Sequence, residues 1–413
     1  MGSSNYTRTS YLMALFTERY TSPRKSFQQL SEFILEISQM KKTLAAVAVL
    51  GAFAGSALAA DVTLYGVIDT GLNWTQTKST GYSATDKFSM ASGQDSGARW
   101  GLRGTEDLGN GYKVGFNLES SFKGDDGSME TRLFHREALL YVQSDFGELS
   151  MGRTGALDAG TGRYGLMAGN ATAMGTGMDT VGKSNKVLLG TGDRMDNTIT
   201  YKTPTFAGIT GFAQASLKMD SSVAETAHPE GSSDAQRYYA LGATYSADGL
   251  NAGLVFSTTD YARVDVKDAK NDDNGYVVSG FVNYDFGMVK PMLAAQYWDN
   301  GLATTADDIT VANGSKAYAL KHTKGYGVVV GATAPVLGGL VKVTGGWNDY
   351  EAIDYTYDID GNNWMFGVGY EYSLSKRTMV YTAAGYTEEK FKAEGETYKN
   401  KTSEVMFGLV HKF

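Results

Sequence analysis

The 413-residue chain has no cysteine, only five prolines, and after residue 60 no uninterrupted apolar run of spanning length. The first absence excludes disulfide scaffolds, thiol catalysis and cysteine-built zinc sites. The third excludes a helical membrane topology. Histidine is scarce too: His135, His228, His322 and His411 show no ligand spacing, so no metal and no cofactor is expected. Basic charge is in deficit. The first 59 residues carry six Lys/Arg and three Asp/Glu, which leaves 31 basic and 42 acidic residues beyond them, a net charge of −11. Nucleic acid is therefore not a partner.

What the chain has in abundance is glycine (51) and tyrosine (26). Much Gly and Tyr with little Pro suggests many strands and turns rather than disorder. Near the front, Met40-Lys41-Lys42 is a short positive head, Thr43 to Ala54 is small or apolar, and Gly55-Ser56-Ala57-Leu58-Ala59-Ala60 follows. That order reads as a secretory signal peptide over 40–59, cut before Ala60, with one residue later nearly as good. The apolar run is too short and too rich in Gly and Ala for a membrane span, which needs roughly 20 strongly apolar residues. Residues 1–39 show no fold-sized pattern and read as an extra leader from a mis-assigned start, the alternative being an unusually long cleaved presequence. Residues 60–413 form the folded part.

There the hydrophobic period is two. Val62, Leu64, Gly66, Ile68, Thr70, Leu72 and Trp74 fall on one face, with Tyr65, Asp69, Asn73 and Thr75 on the other. Val405, Phe407, Leu409 and Phe413 repeat the pattern at the far end. Sixteen such runs can be placed: 62–76, 99–105, 112–122, 132–144, 147–153, 194–203, 206–218, 235–247, 250–261, 274–286, 289–299, 324–335, 339–350, 362–373, 376–388 and 402–413. Tight turns such as Asp145-Phe146-Gly147, Asp248-Gly249 and Gly338-Gly339 alternate with long polar connections at 77–98, 154–193, 219–234, 262–273, 300–323 and 389–401.

A soluble sandwich has no reason to gather its long loops at one end. A membrane barrel has: turns are short on the periplasmic side and loops long outside. Lipid forces closure, because an open edge leaves unpaired backbone groups in hydrocarbon. The fold class predicted is all-β, a sixteen-stranded antiparallel transmembrane β-barrel, wide enough for a water-filled lumen.

Several blocks resemble the Gram-negative general porins. They are Asp61-Val62-Thr63-Leu64-Tyr65-Gly66-Val67-Ile68-Asp69, Arg99 through Gly109, Phe146-Gly147 through Met151-Gly152-Arg153, and Arg194 through Tyr201 followed by Thr203-Pro204. They occur in the family's order along the folded part. The resemblance implies a homotrimer in the outer membrane, in contact with lipid and lipopolysaccharide, passing ions and small hydrophilic solutes without catalysis. It implies that the third external loop, here 154–193, folds inward and narrows the pore. It also implies that the terminal Phe413 is the aromatic read by the barrel-assembly machinery. Basic wall residues face the loop in such porins, and the candidates are Arg99, Arg103, Arg132, Arg136 and Arg153. Arg99 and Arg103 share a strand face, as do Arg132 and Arg136. Arg153 has the parity of Leu149 and Met151, so it needs a bulge or a strand end to turn inward. The acidic candidates on the loop are Asp158 and Asp179. Opposed charges across a constriction filter solutes by their field. The plainer reading is that some of these arginines only tie a loop to the wall.

Gly177 through Ser184 spells the phosphate-cradling G-x-x-x-x-G-K-S, yet no strand precedes it and no helix has room to follow. Gly160-x-Gly162-x-x-Gly165 matches the dinucleotide fingerprint with no βαβ unit around it. Both are chance matches in a Gly-rich loop. A substrate-specific channel on the same barrel and a surface adhesin built on the long loops stay open as alternatives. So does ion selectivity: global charge favours cations, the basic ring anions, and a ring in the narrowest place has more leverage.

Overall fold

The computed structural model describes residues 62–413 except 130–131, 176–177, 179–186, 189–193, 222–228, 233–234, 262–273, 303–308, 312–315, 319–321, 354–358 and 394. The signal reading for 40–59 and the leader 1–39 lie outside the described residues.

Strands dominate. In chain order they are β1 (Thr63–Ser79), β2 (Thr85–Ser92), β3 (Arg99–Gly109), β4 (Tyr112–Ser121), β5 (Glu137–Ser144) and β6 (Gly147–Gly155). Among the described residues one short helix, α1 (Ala168–Ala171), precedes β7 (Arg194–Lys202), β8 (Ile209–Ser216), β9 (Arg237–Ala247), β10 (Leu250–Asp260), β11 (Gly275–Tyr284) and β12 (Lys290–Leu302). A two-strand hairpin of β13 (Ile309–Val311) and β14 (Lys316–Tyr318) follows, then β15 (His322–Val336), β16 (Gly339–Ala352), β17 (Asp360–Ser373), β18 (Thr378–Ala393) and β19 (Glu396–Lys412).

Successive strands pair antiparallel, and β1 closes on β19 from Val67↔Lys412 to Ser79↔Asn400. The sheet has seventeen strands but sixteen staves, because β2 and β3 both pair with β1, end to end. Residues 93–98 leave the wall between them. Asp69 on β1 accounts for the break. Its buried carboxylate accepts the backbone N–H groups of Asp95 and Ser96, both at 2.7 Å, in place of a ladder partner. Gly93 makes the departure with φ at +72°.

Several expected boundaries shift. The run 77–98 is not one loop: β1 continues to Ser79 and β2 occupies its middle. The run 132–144 is a strand only from Glu137, so Arg132 and Arg136 sit in a connection and strand parity does not apply to them. The run 389–401 is the tip of a long hairpin, with β18 reaching Ala393 and β19 starting at Glu396. The run 300–323 contains β13 and β14. Polar side chains misled the reading here, since strands standing clear of the bilayer need no apolar face. Asp248-Gly249 is a tight turn as expected, with both residues at positive φ (51° and 82°), which matches the twist of a hairpin.

The two faces of the wall are inverted relative to a soluble protein. Leu140, Leu241, Leu254, Phe256, Val330, Phe366 and Phe407 point outward and are exposed. Ser150, Thr200, Gln214, Ser257, Ser279, Gln296 and Asn348 point inward. An apolar outer band and a polar interior follow from the strict alternation. Leu254 is 59% exposed on that band. A Leu254→Arg change is expected to cost roughly 2–4 kcal/mol in folding into bilayers. Urea titration of the vesicle-inserted protein measures it.

Candidate pore constriction

Described residues of the 156–193 connection meet inward-pointing side chains of several strands. Leu157 N–H donates to Gln214 of β8 at 3.0 Å. Asp158 accepts from Tyr238 of β9 at 2.9 Å and from Ser257 of β10 at 2.5 Å. Asn170 meets Asn251 of β10 at 2.8 Å, and its carbonyl accepts from Asn283 of β11 at 3.1 Å. Met174 and Met178 lie with Val67, Tyr381, Ala383 and Met406 of β1, β18 and β19. Val187 reaches Val329 of β15 and Met365 of β17. Glycines of the wall let the backbone of this stretch come that close: a Cβ at Gly327 would collide with the Val187 carbonyl, and one at Gly331 would press on Ala173. The 93–98 break takes part, with Met178 N–H donating to the Gln94 carbonyl at 2.7 Å.

A recess of about 330 Å³ stays open where β1 and β3 to β5 face the start of this connection. Tyr65, Arg99, Arg103, Glu119, Tyr141 and Arg163 line it. Arg99 and Arg103 do share the inward face of β3. Arg99 donates to the Gly97 carbonyl at 2.8 Å and lies 3.5 Å from Glu119. Arg136 comes in from the neighbouring connection to the same carboxylate at 2.5 Å. Tyr65 adds a third donor to Glu119 at 2.9 Å. Arg103 is exposed and rests over the Tyr65 ring, 5.0 Å from its centroid. Among the described residues it forms no ion pair.

Arg163 completes the recess. It donates to Glu148 at 2.7 and 2.9 Å and stacks on the Tyr141 ring at 4.1 Å. The hydrogen bonds and charge of Glu148 hold the Arg163 guanidinium above its ordinary range despite burial, so it stays charged at any working pH. Sequence reading missed Arg163 because a Gly-rich loop has no parity to point it out. It missed Glu119 and Glu148 because attention to a basic ring passed over the carboxylates that neutralise it. The inward alternation of β4 would have placed Glu119.

The other basic candidates lie elsewhere. Arg132 and Arg153 converge on Asp196, at 2.7 and 2.6 Å, and Arg132 also reaches Asp220 at 2.5 Å. Arg153 donates to the His135 carbonyl at 2.7 Å, and Ser221 N–H to Asp196 at 2.8 Å. This network ties two connections to the end of β7. A bulge is present beside Arg153: the β6–β7 register shifts between Gly152 and Thr154, with Asn197 at φ +52°. Asp158 is 4% exposed and is spent on the far wall. Asp179 lies outside the described residues. Phe413 exchanges two backbone hydrogen bonds with Gly66, both 3.1 Å, and its ring occupies the space a Cβ at Gly66 would fill.

A closed barrel with an apolar outer band, a polar inner wall and a charged recess inside defines a transmembrane channel. Residues 45–392 match the family model described as Gram-negative porin. The chain is 32% identical to an outer membrane porin protein of Bordetella pertussis, over 91% of this chain and all of that one. In structure it is similar to an anion-selective porin from Comamonas acidovorans (TM-score 0.61, 24% identity, 86% of this chain and 100% of that one). It is also similar to the trimer form of the Vibrio cholerae outer membrane protein OmpT (TM-score 0.51, 14% identity, 85% and 99%). The chain belongs to the Gram-negative porin family, and it is an outer-membrane porin.

Proposed function

We propose that this porin passes small hydrophilic solutes by passive diffusion and prefers anions at the recess beside β3. The carrying observation is the charge balance there. Glu119 is matched by Arg99 and Arg136, and Glu148 by Arg163. Glu137 is occupied by neutral donors, among them Thr154 at 2.8 Å and the N–H of Arg163 at 2.5 Å. Arg103 is left over, exposed. The 156–193 connection supplies the narrowing by lying on the opposite walls. Arg99, Arg136 and Arg163 act as positioning residues, Arg103 as the ion-facing one, and Arg132, Arg153 and Asp158 as ties. No catalysis enters this reading.

The assembly we propose is a homotrimer, the form of the Vibrio cholerae neighbour. Export by a signal over 40–59 and delivery by the barrel-assembly machinery through Phe413 complete the reading, with lipid and lipopolysaccharide around the outer band. The half-exposed position of Phe413 at the outer wall supports that reading. Planar bilayers under a potassium chloride gradient test the selectivity. Stepwise conductance with a reversal potential on the chloride side is the expected result. Steps with a potassium-side reversal potential overturn the anion preference, and the absence of steps overturns the channel.

A further inference from the structure

Two arginines of the recess are seated on the wall in the same way. Tyr141 of β5 stands directly opposite Gly115 of β4, and Tyr65 of β1 directly opposite Gly101 of β3. Each ring lies across its glycine, in space that a Cβ there would take. Each ring then carries a guanidinium. Arg163 is 4.1 Å from the Tyr141 centroid, and Arg103 is 5.0 Å from the Tyr65 centroid. Stacking uses the face of a guanidinium and leaves its N–H edge for acceptors.

In the first unit a carboxylate fills that edge. Two nitrogens of Arg163 donate to the two oxygens of Glu148, at 2.9 and 2.7 Å. This paired geometry is the strongest way for a guanidinium to hold a carboxylate. In the second unit, among the described residues, no carboxylate of the chain meets the edge of Arg103. The neighbouring acids are committed elsewhere. Glu119 takes Arg99, Arg136 and the Tyr65 hydroxyl. Glu137 takes Asn117, Thr154 and the backbone N–H of Arg163. Arg99, Arg103, Arg136 and Arg163 thus face Glu119, Glu137 and Glu148, and the surplus charge is Arg103.

We infer that the edge of Arg103 binds the carboxylate of a small aromatic monoacid, which takes there the place that Glu148 takes on Arg163. Three features set this class. The planar fork fits a planar carboxylate, whereas a halide offers it no second acceptor. One surplus charge suits a monoanion. The wall beside the fork is largely carbon, from the Tyr65 ring, Val67 and Phe116, in a recess of about 330 Å³. That volume is at the small end of the about 300–1,000 Å³ typical of small-molecule sites. An apolar wall adds grip only to a solute with an apolar body. The inference deepens the proposed anion preference and rests on that reading of the recess.

The test is block of the chloride current in planar bilayers by benzoate and by acetate, for wild type and R103K. Lysine keeps the charge but presents a point ammonium in place of the fork. Benzoate is expected to half-block wild type at about a tenfold lower concentration than acetate, through the contacts of its ring. R103K should raise the benzoate value about tenfold. Equal half-blocking concentrations of benzoate and acetate in wild type overturn the inference, and that comparison needs no variant. So does a benzoate value that R103K leaves unchanged. The wild-type reversal potential in potassium chloride reads the anion preference separately. A potassium-side potential, with benzoate block that R103K weakens, counts against the anion preference alone. A chloride-side potential without benzoate block counts against this inference alone.

Discussion

Arg103→Glu is expected to abolish or reverse the anion preference of the pore. The guanidinium it removes is, among the described residues, the arginine of the β3 recess that no carboxylate answers. A unit charge about 5 Å from a passing ion is worth roughly 0.8 kcal/mol in water, screened to roughly 0.5 kcal/mol at 0.1 M salt. Exchanging +1 for −1 disfavours chloride by about 1 kcal/mol and favours potassium by about 1 kcal/mol, about a thirtyfold change in the chloride-to-potassium permeability ratio. Reversal potentials in planar bilayers read it directly. Arg132→Gln is the informative comparison. Arg132 is already paired with Asp196 and Asp220 at 2.7 and 2.5 Å, so its loss should leave selectivity near wild type. A shift in Arg132→Gln half as large as in Arg103→Glu, in proportion to the charge removed, would mean that selectivity follows total charge and not the recess.

Cutting the Asp158 anchor should enlarge the conductance step. Its buried carboxylate receives the hydroxyls of Tyr238 and Ser257 at 2.9 and 2.5 Å, beside a cluster of Leu157, Tyr164, Leu166 and Met167 on the wall. Asp158→Ala leaves two interior donors orphaned, at ~1–3 kcal/mol each. That loss falls on the docking of the 156–193 connection. The ladders that close the barrel do not pass through Asp158, so the wall itself should assemble. Larger and noisier single-channel steps are the expected record. The triple change D158A/Y238F/S257A should restore part of the docking, because no hydroxyl is then left without an acceptor. A step size unchanged in D158A would show that this connection does not limit the passage.

The alternation of Leu64, Ile68, Leu72 and Trp74 against Tyr65, Asp69 and Asn73 was enough to read a wall with one dry and one wet face. That legibility has a physical cause: lipid enforces strict parity and closed pairing, so the pattern is written residue by residue. The short turns were legible for a similar reason, since Asp248-Gly249 is a local conformational preference. The same logic failed above the membrane. There β18 and β19 run on with Lys390, Lys392, Lys399 and Lys401, and nothing in their polarity distinguishes strand from loop.

The charged site was only half legible. Arg99 and Arg103 follow from the parity of β3. Their fates differ for reasons no strand pattern carries, since Glu119 is shared by Arg99, Arg136 and Tyr65 while Arg103, among the described residues, meets no carboxylate and rests over the Tyr65 ring. Arg132, Arg153 and Asp158 looked like pore residues by type and place in the chain, and tertiary partners drew them into ties. Arg163 looked like nothing until its connection was laid against β5 and β6. The sequence by itself determined the barrel, its two faces and its closure, because those depend on alternation and backbone pairing along each strand. Only the tertiary structure decided which guanidinium stays free in the lumen, because that depends on which carboxylate, 15 to 88 residues away along the chain, folds into reach of each arginine.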